Sequence, residues 1–385
     1  MKIIFFAAGK GERMMPLTQD SSKVMLPVGN KPFIQWSLEA AGKIGPISIV
    51  CRADQKDVQF LARSIGAEII IQEKPLGTLD ALKSCKPHVA GDFLLVNGDC
   101  MFSEKDMIKI ASCNANAMGI LRVQSVKNFG AVESSGGILQ RIREKPSEGG
   151  EGFANAAIYR FTKDIFDYIG APISKRGEYE LTDAINTMAK RFNIQTIEVP
   201  SWITLTYPWD ILDVNQKVLD SFGSVIAKGA EIRSGCVIEE PVAIDEGAVI
   251  GPNSYIRKYS SIGKGCHIGN AVEIKSSVIM EGSKIPHLSY VGDSIVGKRC
   301  NLGAGFISAN LRLNEQNVGS LVKGVAVDSG RKKLGAIIGD DVKTGVRVSV
   351  MPGKKIWPGI AVPAGAIIKN DVEKQPNISK MGKVI

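Results

Sequence analysis

From residue 226 the chain keeps a six-residue hydrophobic beat: Ile226, Ile232, Ile238, Ile244, Ile250, Ile256, Ile262, Ile268 and Ile274. Glycines and small residues fall between them, as in "IDEGAV", "IGPNSY" and "IGKGCH". A period of six is too short for a helical solenoid and matches the hexapeptide repeat of a parallel β-helix. Three such units make one triangular coil, and stacked coils bury a column of isoleucines. The phase returns at Leu302 and again at Ile338, Val350, Ile356, Val362 and Ile368. Between Leu311 and Leu334 it is absent, which predicts a loop projecting from the prism. Within "EGSKIPHLSYVGDS", residues 281–294, the beat slips and brings in His287, followed by Leu288, Ser289 and Tyr290.

The first 200 residues follow a different pattern. "KIIFFAA", "ISIVCRA", "AEIIIQE", "DFLLVNGD", "AMGILRV" and "IQTIEVP" are short apolar runs, separated by amphipathic stretches such as "KPFIQWSLEAAGKI" and "DVQFLARSI". That alternation predicts a Rossmann-like α/β domain, a mostly parallel sheet with helices on both faces. Ligands of such sheets bind beyond the carboxyl ends of the strands, so the loops after the runs are the places to look. The expected division is an α/β domain over 1–207, a linking helix over 208–223 ("PWDILDVNQKVLDSFGS"), an all-β helix over 224–368 and a tail over 369–385.

Composition narrows the class. A chain of 385 residues is long for one domain. No apolar run reaches the ~18 residues of a membrane span, and no signal-peptide cleavage pattern follows the first strand. Seven dispersed cysteines, without a pair at metal-ligand spacing, imply reduced thiols and a cytoplasmic protein. The net charge of +9 contains no run of five basic residues, so it points to phosphorylated small molecules in preference to nucleic acid.

The loop after the first strand reads "AAGKGERMMPLTQDSSKVMLPVGNKP". Gly9 and Gly11 let backbone N–H groups approach a phosphate chain, and Arg13 and Lys23 add positive charge. No third glycine or distal acid completes a dinucleotide fingerprint. The whole string resembles the signature of sugar-1-phosphate nucleotidylyltransferases, with Glu12 where threonine is common and Ser22 where proline usually precedes the lysine. The resemblance continues through "QEKPLGTLDAL", "VNGDCMF", "FGAV", "REKP" and "NAAIY". It implies that Ala8, Gly9, Gly11, Gln72, Gly77 and Thr78 bind the nucleotide and that Asp99 ligates Mg²⁺. It also implies that Gly130, Glu144, Lys145 and Asn155 line the sugar pocket, with Arg13 and Lys23 catalytic. One departure stands out: in "WITLTYP", Thr204 occupies the place of the family's second metal-binding aspartate, so slow or metal-hungry nucleotidyl transfer is expected. Asp210, a little further on, is an alternative carboxylate.

The repeat region resembles the left-handed β-helix acyltransferases, and most closely the acetyltransferase half of bifunctional enzymes that make UDP-N-acetylglucosamine. The densest stretches are "GPNSYIRKYSSIG", "EIKSSVIMEGSKIPHLSYVGDS" and "NLGAGFISANL". This resemblance makes His287 the general base, suited to taking a proton from an amine near neutral pH. It assigns Arg257, Lys275, Tyr290, Asn301 and Lys333 to the amino-sugar phosphate, with Arg331 or Lys332 as stand-ins for Lys333. Asn310, Ala304 and Ala364 fall along the acetyl donor, acetyl-CoA, and a homotrimer through the β-helix is implied. His88 and His267 have no such setting and read as structural.

Together the motifs imply an enzyme that acetylates glucosamine-1-phosphate and then joins the product to UTP. Three other readings remain open at this point: nucleotidyl transfer alone with a structural β-helix, acetyl transfer alone with the first domain weakened at Thr204, and a regulatory subunit that senses through both pockets. Gln72 does not separate UTP from dTTP, and neither "REKP" nor "NAAIY" fixes the sugar.

Overall fold

The computed structural model describes residues 1–174 and 176–375. Of the expected tail, residues 376–385 lie outside the described residues. Two compact units emerge: Met1–Lys10 with Phe33–Thr204, and Gly11–Pro32 with the chain from Leu205 onward.

The first unit is built on a nine-stranded sheet. Strand Lys2–Phe6 lies between Ile47–Cys51 and Phe93–Asn97, parallel to both, and Glu68–Ile71 adds a further parallel edge. Beyond Phe93–Asn97 the sheet departs from the expected, mostly parallel pattern. The long strand Gly152–Phe161 runs antiparallel to Phe93–Asn97 and to Ala117–Val123. Gly130–Ser135 and Ile138–Glu144 form a hairpin across a Gly136–Gly137 turn with φ of 57° and 76°. A two-residue turn with both φ positive matches the twist of a hairpin, so this part of the sheet is antiparallel. Its strands alternate polar and apolar residues and contain the pocket motifs, which hides the hairpin in the sequence. Helix Glu104–Ala111 shows how local signals set the covering layer: Ser103 accepts from the Asp106 N–H at 3.1 Å, and Glu104 and Asp106 sit in the first turn. Such a cap contributes about 1 kcal/mol.

The second unit contains three seven-stranded parallel sheets, visited in turn by two- to four-residue strands, consistent with a β-helix. From Ile244 through Ile285 the inward column is essentially inaccessible to water. Each such isoleucine contributes roughly 1.5–3 kcal/mol by burial. In the first coil Ile226 and Ile232 are about 40% exposed (41% and 42%), since a terminal coil has a neighbour on one side only.

The strand register relocates the slip in the beat. The short steps are Ile274 to Ile279 and Val291 to Val296, each of five residues at the corner between the third and first sheets. Inside 281–294 the spacing from Ile285 to Val291 is six, so His287 sits between the two shortened corners. Lys275 lies on one of those corners and Asp293 on the other. Buried serines satisfy the turned backbone: Ser277 Oγ donates to Lys275 O (2.7 Å), Ser289 Oγ to His287 O (2.6 Å) and Ser294 Oγ to Gly292 O (2.8 Å).

The projecting loop between Leu311 and Leu334 carries its own antiparallel hairpin, Gly319–Val322 with Val325–Asp328, turning at Lys323–Gly324 with both φ positive. The outer face of the first sheet is also buried. Along it Ala243, Ser261, Val278, Ile295, Ile337 and Lys355 are each at most 2% exposed. Helix Asp210–Phe222 and the Gly11–Pro32 segment bond to this side of the coil. Asn215 Oδ1 accepts from Gly29 N and from Ser261 Oγ, both at 2.7 Å, and Asn30 Nδ2 donates to Ile262 O at 2.9 Å.

Candidate active sites

In the first unit two neighbouring parallel strands end together. Phe6 pairs with Asn97, and Gly98 N donates to Phe6 O, so Ala8 and Gly9 emerge beside Asp99 at one carboxyl edge. Arg52 Nη1 donates to Ala8 O (2.7 Å) and Gly9 O (3.1 Å), which turns their carbonyls toward the arginine. A Cβ at Gly9 would meet nothing within 4 Å, leaving its backbone open to a ligand.

Thr204 stands beside Asp99. Its strand pairs with Cys100–Met101, and Thr204 Oγ1 donates to Asp99 O at 3.2 Å. Two residues before Asp99, the Asn97 Oδ1 is buried without a partner. Among the described residues no group of three or more His, Cys, Asp or Glu could hold a metal. One carboxylate among neutral oxygens still suits magnesium, which takes one or two carboxylates and completes its shell with water and phosphate. Asp210 is engaged elsewhere, since its Oδ2 accepts from the N–H groups of Thr206 (2.6 Å) and Tyr207 (2.8 Å) at the start of its helix. Burial pushes its carboxyl up to about 6, against those two N–H groups.

Gln72, Gly77 and Thr78 are brought together. Gln72 is 3% exposed, and its Nε2 donates to Gly77 O (3.2 Å) and Asp80 Oδ2 (2.7 Å). Gly77 has φ 128°, and a Cβ there would lie 2.4 Å from Tyr179 O, so only glycine fits. Thr78 Oγ1 accepts from Leu181 N at 3.0 Å. Gly130, Glu144 and Asn155 also converge: a Cβ on Gly130 would be 3.1 Å from Glu144 Oε2 and 3.3 Å from Asn155 Cβ. Burial raises the Glu144 carboxyl, opposed chiefly by Arg176, whose Nη2 is 3.5 Å away. Arg176 lies in a turn outside every motif, so the sequence alone does not mark it. Lys145 follows at φ 43°, its N–H bonded to Phe129 O.

Gly11, Arg13 and Lys23 belong to the second unit. Gly11 has φ 67°, and a Cβ there would meet Lys23 Cβ at 3.0 Å and Thr18 Cγ2 at 3.1 Å. Thr18 Oγ1 donates to Gly11 O (2.9 Å), closing the loop that carries both cations. Arg13 lies over the Tyr207 ring, 6.0 Å from its centroid.

On the coil, His287 is exposed at the corner between the second and third sheets, not in packed hydrocarbon. Asn270 is its partner on the preceding coil, and the neighbouring Gly269 has no room for a Cβ, which would fall 2.0 Å from Pro286 O. Ala304 and Ala364 lie on the same corner in later coils, two residues past Leu302 and Val362, as His287 is past Ile285. Asn301 is paired with Lys284 on the strand that leads to His287.

Around the next corner the centre is a residue absent from the expected set. Asp293, 5% exposed, accepts through Oδ2 from Lys275 Nζ (2.9 Å) and Asn310 Nδ2 (2.7 Å), with Arg331 Nη2 at 3.9 Å from Oδ1. Asn310 Nδ2 also reaches Tyr290 Oη at 3.1 Å. Gly292 makes room: a Cβ would sit 2.3 Å from that hydroxyl. Lys275 and Asn310 are thus joined through Asp293 and Tyr290 through Asn310, while Lys333 is exposed and bridges Leu311 through its backbone. Arg257 lies on the same sheet, between Glu273 (3.2 Å) and Glu239 (3.5 Å). "YVGDS" puts Asp293 two residues past an inward position, but its partners Lys275 and Asn310 lie 18 and 17 residues away in sequence, so no local signal marks it.

Residues 2–221 match the nucleotidyl transferase family, and residues 238–359 match the GMPPB C-terminal domain. A protein of Sulfurisphaera tokodaii named bifunctional sugar-1-phosphate nucleotidylyltransferase/acetyltransferase is 40% identical over 97% of this chain and 98% of its own. The bifunctional protein GlmU of Methanocaldococcus jannaschii is 37% identical over 100% of this chain and 99% of its own. Among solved structures, a UDP-glucose pyrophosphorylase complexed with UDP-glucose superposes with a TM-score of 0.51 at 21% identity, covering 57% of this chain and 98% of that one, a likeness of fold.

Proposed function

The chain belongs to the family of bifunctional sugar-1-phosphate nucleotidylyltransferases/acetyltransferases, and on that premise we propose how its residues divide two reactions. It acetylates glucosamine-1-phosphate from acetyl-CoA, then transfers a uridylyl group from UTP to the N-acetylated product, releasing pyrophosphate. The observation that carries the reading is the hydrogen-bonded set Lys275, Asp293, Asn310 and Tyr290, built on the two shortened corners, with an exposed His287 on the chain between those corners. A purely structural coil has no use for it.

In acetyl transfer the amine nitrogen attacks the thioester carbonyl, His287 takes the amine proton, and the C–S bond breaks to release the thiol of coenzyme A. Lys275, Arg257, Asn301 and one of Arg331, Lys332 or Lys333 hold the sugar phosphate, with the charge a dianion requires. Asn310 orients the substrate, and Ala304 and Ala364 give acetyl-CoA a smooth edge along the coil, which we assign to the left-handed type.

In nucleotidyl transfer the phosphate oxygen of the sugar attacks the α-phosphorus, and pyrophosphate leaves without a protein nucleophile. Arg13 and Lys23 neutralise developing charge, and the backbone of Ala8, Gly9 and Gly11 cradles the phosphates. Gln72 has its NH₂ held by Gly77 and Asp80, leaving its carbonyl oxygen as the acceptor for a uracil or thymine N–H. Gly130, Glu144, Lys145 and Asn155 bind the sugar. Asp99 would hold magnesium, and a bound ion would supply charge neutralisation at the phosphates.

Supplying the wild-type protein with a panel of sugar-1-phosphates, nucleoside triphosphates and acetyl-CoA tests this assignment. Thiol release with glucosamine-1-phosphate and pyrophosphate release with UTP are expected; silence of either assay across the panel would remove that half of the reading.

A further inference from the structure

Along the outer face of the first sheet, one member of the buried row does not belong by chemistry. Ala243, Val278, Ile295 and Ile337 are apolar and Ser261 is paired to Asn215, yet the row ends in Lys355, 2% exposed. A valine or isoleucine would continue the packing. Burying an ammonium is costly unless its protons find acceptors. Those acceptors are backbone carbonyls of two separate segments: Nζ donates to Met15 O at 3.0 Å and to Leu321 O at 2.6 Å. Met15 lies in the loop that carries Arg13 and Lys23, and Leu321 in the inserted hairpin. The same two segments meet at the surface, where Lys323 pairs with Glu12. Burial pulls the lysine down to about 8, with Asp371 and Glu373 opposing, so the ammonium form still predominates at neutral pH.

We propose that Lys355 is a positioning residue for nucleotidyl transfer: from within the coil it clamps the backbone of the Arg13–Lys23 loop to the inserted hairpin, fixing where both cations stand. The inference rests on the nucleotidyl reading above. It makes the β-helix a working part of the other half-reaction. A side chain belonging to the coil should then matter least for the chemistry of the coil.

The test uses full-length protein carrying Lys355→Met, which keeps length and loses the donors, beside Lys355→Arg, which keeps donors. Pyrophosphate release from UTP with N-acetylglucosamine-1-phosphate should fall on the order of 10- to 100-fold in kcat for Lys355→Met, the penalty of a slightly misplaced catalytic group. Thiol release from acetyl-CoA should stay at the wild-type rate, amide exchange over residues 12–25 should quicken, and Lys355→Arg should recover part of the lost rate. Unchanged pyrophosphate release, or equal loss of both activities, would overturn the proposal. If the wild type releases no pyrophosphate from any nucleotide, the nucleotidyl reading fails instead, and the clamp is then judged by exchange: unaltered exchange over 12–25 overturns it as well. Lys355→Gln gives the same comparison if Lys355→Met does not fold.

Discussion

Asp293 shows how one carboxylate organises the groups proposed to bind the amino-sugar phosphate. Its Oδ2 fixes both Lys275 and Asn310 from a site that is nearly closed to water. Charge-assisted bonds of this kind contribute about 1.5–3 kcal/mol each. Asp293→Asn should therefore lower kcat/KM for thiol release by roughly tenfold or more, chiefly through a higher KM for the amino-sugar phosphate, while pyrophosphate release is unaffected. Thr204 is the second residue with a definite expectation. Standing beside Asp99, it contributes a hydroxyl where a carboxylate would bind magnesium more tightly. Thr204→Asp should reduce the magnesium concentration needed for half-maximal pyrophosphate release; an unchanged magnesium titration would refute the metal-hungry reading. Most of the proposed site residues could be nominated one by one because their motifs are contiguous. Asp293, Arg176 and Lys355 could not, since each acquires its role from partners 17 to hundreds of residues away: Asn310 for Asp293, Glu144 for Arg176, Met15 for Lys355.

At the scale of elements, the six-residue beat disclosed the coil, because most inward positions are apolar residues buried between neighbouring coils, with Ser308 and Thr344 as polar exceptions. It did not disclose where the coil tightens. The two five-residue steps are visible only once strands are paired, and they draw the Lys275 and Asp293 corners together. Inserting one glycine after Ser276 would restore a step of six and push Lys275 away from Asp293. Thiol release should drop at least tenfold while the far-ultraviolet spectrum and melting temperature stay near wild type; retention of full activity would show that the tightened corner is incidental. The hairpins at 130–144 and 319–328 are not legible in the sequence for a common reason. Their strands lack continuous apolar runs, and their pairing rests on turns with positive φ at Gly136–Gly137 and Lys323–Gly324.

At the scale of the molecule, the chain does not divide where its sequence grammar changes. Gly11–Pro32 is written within the α/β half but folds with the coil, anchored by Asn215 at one end and Lys355 at the other. No local pattern could announce that, since both anchors lie more than 180 residues downstream (separations of 186 and 340). The homotrimer implied by the resemblance is a proposal that sedimentation tests: three times the 41.3 kDa chain mass is expected, and a stable, active monomer would refute it. The most direct test of the whole account is the pair of activities measured on one preparation of His287→Ala. Loss of the proposed general base should cut thiol release from acetyl-CoA by on the order of 10²–10⁴ and leave pyrophosphate release from UTP at the wild-type rate. Undiminished thiol release, or the loss of both activities together, would contradict it.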